Sequence, residues 1–398
     1  MPSRSHLTWY VILTAVGFAG VASPADAQHR SGLRGWRPTG RLKGEVRYDN
    51  NPFLFDTLRK RLLEAPTPAD SVNGRFRDMS RATDVIPIPA FQLGLEGPGL
   101  GGRTLGVAAQ VAYEANLHNA ARRHAELQFR VEQSLPHSGG LRFTVDWRPS
   151  YFHRNYLADA VDVNLDGNIS AVEKVYAAGR SNETDLALRY RQRLLKSTDQ
   201  RPVGFTAELQ AGYLNRSYDA PFAVRSRKGP EARGKLALQF GPAWTLGLDY
   251  SVASLSGNPA TAVLILDENL FGVDFNGNGR ATDVRARAAV LVDYSRVERQ
   301  LGATLQGAAG AATVEVGYGR RTRTFSSTQP YDVVNRARRD RLKELTVDVV
   351  VLLAPRLHLD LGARRGVQTT NRAGDPASLG EVADYTRFVG SAGLRYRF

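Results

Sequence analysis

Short segments in which apolar and polar side chains strictly alternate recur along most of this chain. In "LKGEVRY" (Leu42–Tyr48) the Leu, Gly, Val and Tyr side chains share one side, and the charged side chains share the other. A repeat of two is typical of a β-strand with one apolar and one polar face. The same pattern occurs in Leu105–Tyr113, Ala125–Gln133, Leu141–Trp147, Asp185–Arg193, Phe205–Tyr213, Lys235–Phe240, Trp244–Val252, Thr313–Tyr318, Leu345–Leu353 and Leu357–Ala363. The chain is therefore predicted to be all-β.

The connections between these segments fall into two length classes. The short ones are Gly97–Gly102, Pro136–Gly140, Gly241–Ala243, Gly307–Gly310 and Ala354–Pro355. The long polar ones are Asn50–Ile88, Ala158–Glu183, Asp219–Arg233, Ser256–Asp283, Ser327–Asp340 and Thr369–Tyr385. Short turns at one end and long loops at the other are typical of outer-membrane barrels. We therefore expect a transmembrane antiparallel β-barrel with long extracellular loops.

The number of strands depends on one segment, Val284–Gln306. Taken as a single long strand, it gives about 14 strands, an even number as bacterial single-chain barrels have. The apolar positions change phase near Ser295, and a β-bulge there would account for the change. A hidden extra turn would alter the count, so the predicted range is roughly 12 to 16 strands.

The last segment, "TRFVGSAGLRYRF", alternates up to an aromatic residue, Phe398. It resembles the closing strand of Gram-negative outer-membrane barrels, which the barrel assembly machinery of such bacteria recognises. The resemblance implies an outer-membrane location, with membrane lipid and that machinery as partners.

The first residues predict a cleaved secretory signal peptide. Arg4 supplies a basic start, Leu7–Ala22 is mostly apolar, and Ala25-Asp26-Ala27 is a small-residue cleavage site. The apolar run is shorter than the roughly 20 residues of a spanning helix. Residues 1–27 are thus expected to be the signal peptide and residues 28–398 the barrel. The chain contains no cysteine, so disulfides contribute nothing to its stability.

The formal net charge of +14 is spread over the polar faces of the strands. No nucleic-acid-binding module or basic patch accompanies it, so nucleic acid is not an expected partner. The polar faces would line a lumen, with pore-lining arginines at Arg189, Arg191, Arg193, Arg395 and Arg397. Two interpretations remain open: a salt-bridge lattice that closes the barrel, or a water-filled pore that favours anions. The basic run Asn335–Lys343 is either a solvated loop face or a contact for lipopolysaccharide phosphates.

Residues 162–173, "DVNLDGNISAVE", predict a calcium-binding loop. Side-chain oxygens stand at positions 1, 3 and 5, a glycine at 6, and a carboxylate at 12. The segment resembles an EF-hand loop at every ligand position, which implies Ca2+ bound by Asp162, Asn164, Asp166, Asn168, Ser170 and Glu173. Ile169 is the expected apolar anchor, and Ala171–Gly179 could form a short exiting helix. The alternative is a polar surface turn.

A second, truncated calcium loop is predicted over residues 274–283. Its candidate ligands are Asp274, Asn276, Asn278 and Asp283, with Gly279 at the turn. Position 12 is Arg285, which cannot bind a cation, so Asp283 would have to replace the usual glutamate. Both candidate loops lie in long connections, where an ion would stabilise the exposed chain.

The leading functional hypothesis is passive diffusion of small hydrophilic solutes, with a structural or adhesive surface protein as the alternative. A calcium-dependent outer-membrane hydrolase is the lesser alternative, since His153 and Ser181 lie at neighbouring strand ends without a serine motif. No enzymatic activity is expected. Phe55–Ala65 has helical spacing and predicts a helix that either folds into the pore or packs on its rim.

Overall fold

The computed structural model describes residues 35–398 except 167, 198–202, 242, 267–272, 275–278, 280–285 and 373–383. The predicted signal peptide, and Asn276, Asn278 and Asp283, lie outside the described residues. The strands are β1 (Arg37–Asp49), β2 (Asp84–Pro98), β3 (Thr104–Glu114), β4 (His124–Leu135), β5 (Gly139–Ala160), β6 (Lys174–Leu195), β7 (Val203–Tyr218), β8 (Arg227–Phe240), β9 (Trp244–Gly257), β10 (Ala260–Leu266), β11 (Ala286–Val292), β12 (Arg296–Ala309), β13 (Ala312–Phe325), β14 (Arg339–Ala354), β15 (Leu357–Thr370) and β16 (Tyr385–Arg397). The helices are α1 (Thr57–Glu64) and α2 (Pro68–Asn73).

Strands β1–β9 and β12–β16 form one closed barrel of 14 strands. Each strand pairs antiparallel with its neighbours along the chain, except that β9 pairs with β12. Closure occurs at β1, where Val46 pairs with Pro87 of β2 on one side and with Ala392 of β16 on the other. A closed barrel leaves no unpaired strand edge. The predicted antiparallel barrel of about 14 strands is confirmed.

The two ends of the barrel differ as the connections predicted. One end, here the short-turn end, carries connections such as 136–138, 310–311 and 355–356. The opposite end, here the long-loop end, carries 50–83, 115–123, 161–173, 219–226, 258–295, 326–338 and 371–384. Two predicted loops were too long at their ends, because β6 begins at Lys174 and β8 begins at Arg227, well inside segments assigned to loops.

The segment Val284–Gln306 is not one bulged strand, so that prediction was wrong. β11 pairs with β10 in a separate two-stranded sheet outside the barrel wall, and β12 enters the wall only at Arg296. One face of this hairpin packs on the neighbouring long loops through Leu266 and Val292, both 0% exposed. The phase change near Ser295 therefore marks the passage from hairpin to barrel.

The predicted exiting helix after the first calcium loop was also wrong. Strand β6 begins at Lys174, directly after the loop, and pairs with β5 up to Ala160↔Lys174. Strand β4 pairs with β5 only as far as Trp147. The β5–β6 hairpin therefore projects beyond its β4 neighbour and carries residues 161–173 at its tip.

The apolar side chains of the wall point outward. Val46, Leu209 and Leu301 are 52–64% exposed, and the large exposed apolar residues recur on nearly every strand of the wall. The buried apolar clusters lie instead mostly at the long-loop end, among the loops and projecting hairpins. Among the described residues, no helix is long and apolar enough to cross a membrane.

Candidate functional site

The lumen is lined by charged side chains that alternate with the outward apolar ones. Ion pairs link adjacent strands on this inner face, because facing or diagonal residues of paired strands lie within side-chain reach. Glu132 and Arg142 face each other directly across β4 and β5, with a nitrogen–oxygen separation of 3.0 Å. Other pairs are Arg189–Glu208 at 3.4 Å, Arg233–Asp249 at 3.2 Å and Arg395–Asp360 at 2.7 Å. Ion pairs of the kind that the salt-bridge interpretation predicts are therefore present.

Toward the long-loop end the arginines become denser than the carboxylates. Glu183 on β6 accepts from Arg148 at 3.0 Å and from Arg216 at 2.6 Å. Glu298 on β12 contacts both Arg296 and Arg323, the latter at 3.2 Å. Two carboxylates are thus each shared by two guanidinium groups.

Two further arginines of this region pair with neutral oxygens. Arg227 donates to the Arg225 carbonyl at 3.2 Å, and Arg321 donates to Oε1 of Gln300 at 3.0 Å. Within the described part of the chain, neither has a carboxylate oxygen within 4 Å. Positive charge is therefore incompletely compensated in this part of the lumen.

Two adjoining cavities occupy the arginine-rich region. The first, of about 440 Å³, is lined by residues of β3–β9, β12 and β13. The second, of about 220 Å³, lies under the first long loop. Arg216, Arg227, Arg296 and Arg323 line both cavities. A 14-stranded barrel is wider than the roughly eight-stranded ones that side chains fill, so enclosed space of this kind is expected.

Aromatic rings in the smaller cavity contact several of its arginines. The guanidinium carbon of Arg225 lies 3.8 Å from the ring centroid of Tyr156 and 5.0 Å from that of Tyr294. That of Arg338 lies 4.3 Å from the ring centroid of Phe325. A ring face stabilises a cation without neutralising its charge, so these contacts hold the side chains in place. Arg338 is in addition paired with Asp340 at 2.8 Å.

The first long loop folds across the long-loop mouth. Pro52, Phe53, Leu54 and Arg59 line the smaller cavity together with inner residues of β7, β13 and β16. Helix α1 confirms the helix predicted over Phe55–Ala65, and the Asp56 side chain caps it by accepting from the Arg59 amide at 2.7 Å. Phe53, Phe55, Leu63, Phe76 and Phe152 form a buried cluster that fixes the loop to the β5–β6 hairpin.

The predicted pore-lining arginines lie toward the opposite, short-turn end. Arg189 contacts Gln210 and Glu208, and Arg395 contacts Asp360, so both belong to the lattice. Arg397 lines a cavity of about 460 Å³ at this end together with Arg41 and Arg130. Arg191 and Arg193, at the end of β6, are exposed. Sequence reasoning missed the denser set, because Arg216, Arg227, Arg296 and Arg323 stand at strand ends beside long loops.

The first candidate calcium loop is closed by its own glutamate. The two carboxylate oxygens of Glu173 accept from the amides of Val163 at 2.9 Å and Ser170 at 2.8 Å. Hydrogen bonds from the Ser170 side chain and backbone, and from Val163, lower the pKa of the Glu173 carboxyl to about 2. Asp166 accepts from the Asn168 amide at 2.7 Å and from the Asn164 side chain at 2.9 Å.

The acidic groups of this loop are not gathered around one point. Among the described residues, the one group of three His, Asp or Glu side chains with ligand atoms within 4.8 Å of one another lies elsewhere. Ile169 is 2% exposed and packs with Ala160 and Ile265, as the anchor prediction required. An ion would therefore require the carboxylates of Asp162, Asp166 and Glu173 to move inward.

The second candidate loop connects β10 to β11, beside the first. Of its predicted ligands only Asp274 is described, and it accepts from the Gly279 amide at 2.6 Å. Gly279 has φ of 83°, as a tight turn requires. The two hairpins touch through Ile169 and Ile265, and Arg287 pairs with Asp159 at 2.8 Å. The bases of the two candidate loops are therefore neighbours.

His153 and Ser181 are adjacent, with His153 Nε2 2.8 Å from the Ser181 hydroxyl. Two features of this pair differ from those of a serine hydrolase. Ser181 is 0% exposed, and Glu183 lies 3.4 Å from the same Nε2 atom rather than orienting Nδ1. A nucleophilic serine must reach its substrate, and its histidine base is oriented through the other ring nitrogen.

No family model and no curated protein matches this chain. Solved structures similar to it include the anion-selective porin from Comamonas acidovorans, at 11% identity and a TM-score of 0.38, covering 91% of this chain and 99% of that one. The outer membrane channel DcaP of Acinetobacter baumannii is similar at 10% identity and a TM-score of 0.39, covering 92% and 99%. A TodX monoaromatic hydrocarbon channel mutant is similar at 9% identity and a TM-score of 0.42, covering 95% and 93%.

Proposed function

We propose that this chain is an outer-membrane pore through which small hydrophilic solutes, preferentially anions, diffuse passively. The observation that carries the proposal is the charged lumen, whose long-loop half holds more guanidinium than carboxylate groups. Such a lumen attracts anions and raises the barrier for cations of similar size. The ion-pair lattice narrows and stiffens the lumen, and the cavities between the arginines give solutes room.

The outer surface supports insertion in a membrane. Its exposed aliphatic side chains would be unfavourable in water at roughly 25 cal/mol per Å² of apolar surface. Aromatic residues stand near both ends of the wall, as in the girdles of membrane barrels. Phe240, Trp244, Tyr396 and Phe398 lie beside the short-turn end, and Tyr48 and Phe388 lie beside the long loops. The long loops would then be extracellular.

The two calcium loops are part of the same proposal. Residues 162–173 carry oxygen donors at each EF-hand ligand position, and residues 274–283 carry a shorter set. The hairpin bases already pack through Ile169 and Ile265, so Ca2+ would act only at the tips. Millimolar extracellular calcium would be enough for a weak site of this kind.

The proposed partners follow from the location. Membrane lipid would cover the wall, and the basic residues of Asn335–Lys343 at the long-loop end suit lipopolysaccharide phosphates. The strand ending at Phe398 would be the element that the barrel assembly machinery recognises. The signal peptide, residues 1–27, would direct export.

A surface protein that displays its loops is the second candidate. The observation in its favour is the first long loop, which crosses the mouth and is held there by the Phe53–Phe152 cluster. In this case the lumen would conduct poorly, and the projecting β5–β6 and β10–β11 hairpins would be the functional surface.

Liposome swelling separates the two candidates. Purified chain reconstituted into liposomes should admit small sugars and small organic anions, the anions faster at equal size. If liposomes that contain the folded barrel admit neither solute, the result would contradict the pore and favour a surface protein that displays its loops.

A further inference from the structure

A histidine and two glutamates meet on the inner wall of the barrel, beside connection 115–123. Glu114, the last residue of β3, pairs in register with His124, the first residue of β4. Glu126 lies two residues beyond His124 and therefore on the same face of the strand. The register of one hairpin thus gathers the three side chains.

The three side chains are spaced as ligands of one small ion. His124 Nε2 lies 3.5 Å from Oε1 of Glu126 and 4.0 Å from Oε2 of Glu114. A tetrahedral ion with bonds of 2.0–2.2 Å separates its donor atoms by roughly 3.3–3.6 Å. The spacing between His124 and Glu126 already falls in this range, and Glu114 would have to move only a few tenths of an ångström closer to His124.

The histidine is buried with its donor atom directed at the carboxylates. Its side chain is 3% exposed, and Nε2 has no hydrogen-bond partner among the described residues. The other ring nitrogen, Nδ1, lies 2.7 Å from the Arg122 carbonyl oxygen. Since a carbonyl only accepts, Nδ1 is the donor in this contact, and Nε2 is the ring nitrogen directed at the two carboxylates. Metal-binding histidines are commonly oriented by such a backbone carbonyl.

Arginines orient the two carboxylates. Arg47 donates to Oε1 of Glu114 at 2.6 Å, which leaves Oε2 on the histidine side. Arg148 donates to Oε1 of Glu126 at 2.6 Å. The Glu126 side chain is 35% exposed, so the cluster opens on this side.

We propose that Glu114, His124 and Glu126 bind one divalent transition-metal ion of the zinc class in the lumen wall. An imidazole nitrogen suits Zn2+, Ni2+ or Cu2+, whereas Ca2+ takes oxygen donors, so this site is distinct from the calcium loops. Three protein donors leave a fourth position for water or for an anionic group of a solute. The proposal is independent of whether the lumen conducts.

The test is calorimetric titration of the full chain in detergent with ZnCl2, with 1 mM CaCl2 present to occupy the oxygen sites. We expect one Zn2+ per wild-type chain and roughly 100-fold weaker binding by His124→Ala and by Glu114→Gln. His118→Ala, a change in the adjacent connection, is the matched control and should bind like the wild type. Gel mobility before and after heating checks that each barrel is folded.

Co2+ provides a measurement that needs no variant. Bound at a tetrahedral site of one nitrogen and several oxygens, it gives an intense visible spectrum that excess Zn2+ abolishes. Absence of Zn2+ binding by the wild type, unchanged binding by His124→Ala, or only the weak octahedral Co2+ spectrum would each overturn the proposal.

Discussion

Arg216 on β7 donates to Glu183 on β6 across 2.6 Å, and Arg148 on β5 contacts the other oxygen of the same carboxylate at 3.0 Å. One carboxylate therefore joins three successive strands inside the lumen. The side chain of Glu183 is only 13% exposed. Water can therefore only partly take the place of its carboxylate as a partner of the two arginines.

Glu183→Gln should weaken the barrel and increase its preference for anions. The amide keeps the shape of the side chain but removes the negative charge that faces Arg148 and Arg216. We expect the free energy of unfolding to fall by roughly 1.5–3 kcal/mol. Urea unfolding in detergent measures the stability, and reversal potentials measure the selectivity. Glu132→Gln is the control, because its side chain is 45% exposed and its pair with Arg142 should contribute at most about 1 kcal/mol. Equal effects of the two variants would refute this account of the cluster.

Replacing Arg227 and Arg321, which have no carboxylate oxygen within 4 Å among the described residues, should reduce anion preference with little loss of stability. Arg227→Gln and Arg321→Gln together remove two positive charges from the inner wall and leave the Glu183 and Glu298 pairs intact. We expect the anion-to-cation permeability ratio to fall several-fold in a salt gradient. Arg103→Gln, in a short turn, should leave it unchanged. If the double variant keeps the wild-type ratio, these arginines do not set selectivity.

Glu173→Gln should weaken calcium binding by at least an order of magnitude. The change removes the charge and the bidentate donor of the first loop, whereas the barrel ladder closes independently of it. Calorimetric titration of the folded chain with CaCl2 measures the loss, and Glu64→Gln at the end of α1 is the acidic control. Asp274→Ala in the Glu173→Gln background should abolish the residual signal. Titration of Glu173→Gln like the wild type would mean that residues 162–173 are not a calcium site.

Ile265→Ala should loosen the contact between the two projecting hairpins. Ile265 is 1% exposed and packs against Ile169 and Ala160. Truncating a buried isoleucine to alanine usually lowers the free energy of unfolding by about 2–5 kcal/mol. A protease added to intact cells should cut the wild type within 161–173 or 267–285, more slowly with calcium, and should cut Ile265→Ala faster. Heat-dependent gel mobility should show an unaltered barrel. Cleavage confined to the short turns would reverse the assignment of inside and outside.

The barrel wall could be predicted from the sequence because a repeat of two and two classes of connection are local signals. The β10–β11 hairpin could not, since Ala286–Val292 alternates in the same way in a wall or in a hairpin outside it. Lys174–Gly179 also has residues that suit a helix, and pairing with β5 prevailed over that propensity.

The arginine cluster depends on which strands face each other across the lumen. Arg148, Arg216 and Arg323 lie on β5, β7 and β13, and no local pattern shows that they line one space. The Glu114–His124 contact depends on fewer unknowns, because it needs only the register between two consecutive strands, β3 and β4.

Anion selectivity of the pore can be measured as the reversal potential of single wild-type channels in a planar bilayer under a KCl gradient. We expect discrete conductance steps and a reversal potential displaced toward the chloride equilibrium potential. A folded barrel that gives no steps, or a reversal potential displaced toward that of potassium, would contradict this expectation.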